Sequence, residues 1–62
     1  MNVGDLVRVN PKAIGDYAKT NYPHMTETGI LVEWDAYHPV VLYSTGARIM
    51  ARANMEVVSA SR

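Results

Sequence analysis

Thr28-Gly29-Ile30-Leu31-Val32-Glu33-Trp34-Asp35 is the stretch that decides the fold. It is rich in β-branched and aromatic residues and is predicted to be a strand, with Ile30, Val32 and Trp34 on one face and Leu31 and Glu33 on the other. Toward the C-terminus, Ala36-Tyr37-His38-Pro39 reads as a loop and Val40-Val41-Leu42-Tyr43 as a third strand. Both faces of that strand are apolar: Val40 and Leu42 point one way, Val41 and Tyr43 the other. Ser44-Thr45-Gly46 is a hairpin turn in which glycine supplies a positive φ. A fourth strand follows from Ala47 to Ala51, opposing Ile49 and Ala51 to Arg48, Met50 and Arg52. A short corner through Arg52-Ala53-Asn54 leads to a last strand, Met55-Glu56-Val57-Val58. Residues 59–62 read as a frayed tail to a single domain spanning 1–58.

Toward the N-terminus, the strand is preceded by a long excursion from Asn10 to Glu27. Asn10 is a good N-cap and Pro11 suits a first helical position. Ile14, Tyr17 and Ala18 then fall at helical spacing, so about two turns of helix are expected between Pro11 and Thr20. Gly15 weakens that helix by about 1 kcal/mol relative to alanine. Asn21-Tyr22-Pro23-His24 ends it, because the residue before a proline avoids the α region. Before the excursion, Gly4-Asp5-Leu6-Val7-Arg8-Val9 gives a first strand with Val7 and Val9 on one face.

One strand, a long excursion, three strands on short connections, a corner and a closing strand describe an all-β, five-stranded SH3-like barrel with a short helix between strands 1 and 2. An Sm-like barrel is the alternative, but that fold places its helix before the first strand. The segments Gly4–Val9, Gly29–Trp34, Val41–Gly46 and Met55–Val58 together resemble very small SH3-like proteins of tailed phages, marine ones included, most without an assigned function. The opening strand also resembles KOW-type ribosomal and transcription proteins, which bind RNA, and electron-transport accessory barrels, which support a catalytic partner. These resemblances imply a barrel that works by binding. The excursion departs from both of the latter groups. The polyproline groove of signalling SH3 domains is a poorer match, since Trp34 ends a strand instead of opening one.

Composition narrows the function further. A chain of 62 residues buries only roughly 60% of the surface its unfolded form exposes, so its stability is marginal and self-association is the expected supplement. There are no cysteines, which excludes disulfides and thiolate metal sites and fits a reducing, cytoplasmic setting (the host cytoplasm for a phage protein). No signal peptide is visible and the apolar runs are too short for a membrane span. Six basic and six acidic residues balance, so a strong electrostatic grip on nucleic acid or membrane is not expected.

No catalytic residue is assigned. Asp16, Glu27, Glu33, Asp35, His24 and His38 are the available acids and bases, but none forms a carboxylate pair or a nucleophile–base set, and an Asx-type turn accounts for Asp35. His24 and His38 lack metal spacing, so neither cofactor nor metal is expected. Trp34 reads as core or barrel rim. Candidate protein contacts, with a partner or with a second copy, are the loop residues Tyr37 and His38 and the outward side of strand three, given as Val41 and Tyr43. The helix or a neighbouring subunit is expected to cover whichever side of that strand faces out. The alternative function is RNA or DNA binding through Arg8, Arg48 and Arg52, with Lys12 and exposed aromatics beside them. Against it stands the plain reading of Arg48 and Arg52 as a solvated face with their stems over Met50.

Overall fold

In the computed structural model, which describes residues 1–59, the chain is dominated by antiparallel strands: β1 (Leu6–Val9), β2 (Gly29–Asp35), β3 (His38–Tyr43), β4 (Gly46–Ile49) and β5 (Met55–Ser59). They form one five-stranded sheet in the order β4-β3-β2-β1-β5. A ladder between β4 and β5, which would close the sheet into a barrel, is absent among the pairings of the described residues. Residues 60–62 of the expected tail lie outside those described, and Ser59 belongs to β5.

The opening Gly4-Asp5 builds a turn before β1. Gly4 takes φ 98°, and the Asp5 carboxylate accepts a 2.7 Å hydrogen bond from the Asn2 N–H. After β1, the excursion is broken into three short pieces instead of one helix. The Asn10 side chain caps as expected, accepting from Lys12 N at 2.9 Å, but the turn it starts is a 3-10 turn of only Pro11–Ala13. Ile14 and Gly15 are extended, and helix α1 runs from Asp16 to Asn21. Glycine has little tendency to stay helical, and here it serves as the N-cap of a second start. Tyr22-Pro23 ends α1 and a second 3-10 turn, Pro23–Thr26, follows. This turn carries His24 and Met25 onto the sheet.

The core is a cluster of Val7, Val9, Leu31, Val41, Tyr43 and Met50, with Ile14, Met25 and Met55 packed on it. Close packing here requires Gly29. A Cβ at that position would collide with Val41 Cγ1 and lie 2.9 Å from the Leu42 carbonyl oxygen. Two findings reset which side chains face the core. On β3 it is Val41 and Tyr43, both almost fully buried, that point inward; on the other face Leu42 is exposed while Val40 is itself buried. On β2, Leu31 is the core residue, and the register slips by one between Leu31 and Glu33. This bulge at Val32 changes the phase: Ile30 pairs with outward Leu42, whereas Trp34 pairs with inward Pro39. Ile30, Val32 and Trp34 therefore do not share a continuous face. Trp34 sits at the rim, outside the core cluster.

The predicted loop Ala36–Pro39 is also shorter than expected. Only Ala36 and Tyr37 form the turn, with Asp35 paired to His38 across it. Ala36 takes φ 56°, a conformation glycine or asparagine would adopt more readily. Pro39 lies inside β3, where its carbonyl accepts from Met50 N at 2.9 Å. β4 ends at Ile49, so Arg52 belongs to a 3-10 turn, Arg52–Asn54, and not to the strand.

Candidate functional site

The residues singled out by sequence separate into three places. Val41 and Tyr43 are core residues, so the contact surface assigned to them is corrected to the opposite side of β3. The physical reason is that period-two alternation in an all-apolar strand gives two faces without saying which is inward. The excursion covers Tyr43: the His24 ring lies edge-on to it at 5.4 Å between centroids. Tyr22 sits 6.1 Å beyond His24, and Tyr17 a further 6.2 Å out. This aromatic row runs from the solvent to the core and fastens the excursion to the sheet.

On the outer face, Leu6, Ile30, Leu42 and Ala47 are register partners across β1, β2, β3 and β4, and so form one row. Leu6 is 39% exposed, Ile30 43% and Leu42 45%, values high for large apolar side chains in the middle of a sheet. In the next row Ile49 is 59% exposed but its partner Val40 is buried, and Val32 at the bulge is 38% exposed. The helix does not cover this face. α1 packs on the second 3-10 turn, which in turn packs on β1, and Ile14 and Met25 join the core side. The row is a continuous apolar strip bounded by Arg8–Glu56 on one side and Glu33 on the other.

The three arginines do not share a surface. Arg8 is on the outer face of β1, held by Glu56 at 3.2 Å. Arg48 lies in register with Val41 and faces the core side at the sheet edge, where it and Glu27 both act on His24 and Tyr43. Arg52 lines a shallow depression with Tyr37, His38, Ala51 and Ala53. Tyr37 sits at the tip of the β2–β3 turn, 81% exposed, beside His38 at the start of β3. Arg52 beside them was legible only as a member of the β4 strip, because the chain was expected to stay extended through Ala51.

The titratable cluster beneath is His24, Glu27, Tyr43 and Arg48. Burial, and then the Arg48 charge, lowers the His24 pKa, while Glu27 opposes them. Burial and Glu27 raise that of Tyr43. Glu27 accepts a 2.7 Å hydrogen bond from Ser44 Oγ. The Tyr43 hydroxyl is buried without a protein hydrogen-bond partner among the described residues. His24 had no sequence signal beyond its apolar and aromatic neighbours Tyr22 and Met25. Among the described residues no group of three metal-ligating side chains comes together, and no helix is long and apolar enough to cross a membrane.

Compared with known protein families, with curated proteins and with solved structures, the chain matches none.

Proposed function

We propose that this protein is a non-catalytic assembly module of the SH3-like barrel type, an accessory protein of the kind its phage resemblance suggests, and that its working surface is the outer face of β1–β4. The observation that carries the reading is the exposed row Leu6–Ile30–Leu42, continued by Ile49. A contiguous apolar patch on a sheet interior is costly in water and characteristic of protein contacts. The occupant we assign is a second copy. An uncharged strip can meet itself across a two-fold axis without opposing like charges, and most homo-oligomers use such isologous contacts. A typical interface needs about 800 Å² per partner, roughly a fifth of the 4252 Å² this chain exposes. A small domain without disulfides also gains stability from a partner subunit through mass action. Dilution of a methyl-labelled sample tests the reading. The methyl signals of Leu6, Ile30 and Leu42 should shift with concentration, while those of core Val7 and Leu31 stay in place. Concentration-independent spectra would oppose self-association.

A further inference from the structure

The sheet ends on β4, whose outer edge meets no other strand among the described residues. Which backbone groups that edge offers follows from the ladder. Met50 N donates to the Pro39 carbonyl at 2.9 Å, so position 50 bonds inward to β3. Bonding alternates along an antiparallel strand, which places Gly46 and Arg48 inward too and leaves the N–H and C=O groups of Ala47 and Ile49 directed off the edge. Beside this edge, between it and the Pro23–Thr26 turn, runs an open groove of about 540 Å³. Ala47 through Ala51 form one wall without interruption, and Tyr22, His24 and Met25 form the other. A groove walled by consecutive residues of an unpaired strand has the form used for strand addition, where main-chain hydrogen bonds supply affinity and alternate side chains supply selectivity.

Arg48 supplies the selectivity. Among the described residues the ion pair is Arg8–Glu56, and Arg48 has none. Glu27, which together with Arg48 acts on His24 and Tyr43, accepts from Ser44 Oγ and forms no ion pair with Arg48 among the described residues. Arg48 projects on the core side of the edge, flanked along the strand by Gly46 and Met50. A strand added to β4 would therefore place one side chain directly across from a guanidinium, where an opposite charge is favoured and a like charge disfavoured. Its neighbours two positions away would lie across from Met50 and Gly46, in the groove that Met25 also lines. A second copy of β4 fits poorly in the central register, because it would set Arg48 against its own symmetry mate. β5, the other edge, differs in that its acidic residue Glu56 is already tied to Arg8.

We propose that β4 is a docking edge for an extended segment of a partner protein that carries an acidic side chain opposite Arg48, between apolar residues. This site uses the in-plane backbone edge of β4, whereas the outer-face row uses the Ala47 and Ile49 side chains, and it stands whether or not the protein self-associates. The probe is an acetylated, amidated pentapeptide, valine-threonine-glutamate-threonine-valine, titrated into dilute ¹⁵N-labelled protein beside its lysine counterpart. The glutamate peptide should shift the Ala47 and Ile49 amides and bind at least tenfold more tightly than the lysine peptide. Arg48→Glu should reverse that order. Ile49→Pro removes an edge donor while sparing the β3 ladder, a position where proline is tolerated in sheets, and should weaken binding at least tenfold without a large loss of melting temperature. Equal binding of the two peptides would overturn the proposal, as would shifts confined to other strands, or no response at millimolar peptide. If the Ala47 and Ile49 amides of the Leu42→Glu variant, whose outer face is blocked, shift when that variant alone is concentrated, the edge takes a second copy and the assigned partner is wrong.

Discussion

His24 is held by three neighbours of different character: Tyr43 against its ring, the Arg48 charge, and the Glu27 carboxylate. Burial and Arg48 disfavour its protonated form, so its folded pKa lies below the unfolded value near 6.5. The unfolded chain then binds more protons as pH falls through that value, and stability is lost on the acid side. Tyr43 works in the opposite range. Its raised pKa means that the unfolded chain loses its proton first, so stability falls as pH rises above about 10. Melting temperature should therefore be highest between these limits and decline from pH 7.5 to 5.5. Replacing His24 with phenylalanine should flatten that acid-side decline, measured by thermal unfolding across pH. An unchanged slope would mean that His24 is not the group responsible. Tyr43 and Arg48 lie far from this histidine in sequence, which is why it read only as an isolated base without metal spacing.

At the scale of elements, strand existence was legible and strand phase was not. All five strands were predicted close to their observed positions, because alternating β-branched residues between glycine and proline signals are read locally. Phase depends on which face another element covers. β3 is apolar on both sides, and β2 changes phase within itself at Val32. Such a bulge leaves no mark in a run where every neighbouring position is already strand-forming. The excursion failed similarly: its cap and its end were legible, but the break at Ile14-Gly15 shortened the helix to Asp16–Asn21. The corrected phase is testable by a pair of substitutions. Leu31→Ala should cost about 2–5 kcal/mol, as for a large core side chain. Ile30→Ala, one position away on the exposed face, should cost less than about 1 kcal/mol. Chemical denaturation of the two variants measures this, and comparable losses would contradict the placement of Leu31 in the core and Ile30 on the exposed face.

For the whole molecule, the sheet order places a core on one side and leaves a wide apolar strip on the other. The exposure of Tyr37 at the β2–β3 turn was legible, because a polar-tipped aromatic at a turn has few ways to be buried. The strip through Leu6, Ile30 and Leu42 was not, since it joins residues from three strands whose faces were unknown. The arginine strip expected along β4 dissolved when the chain left the strand at Ile49 and turned at Arg52. What remains is a small module with an apolar face, and the central claim is that this face holds copies together. Sedimentation equilibrium over a wide concentration range tests it most directly, with the chain and its Leu42→Glu variant compared under one buffer. The chain should give a mass that rises above 6.9 kDa with concentration, and the variant should keep its fold by circular dichroism yet stay at the monomer mass. A chain that remains at 6.9 kDa throughout, or association that survives Leu42→Glu, would contradict the account.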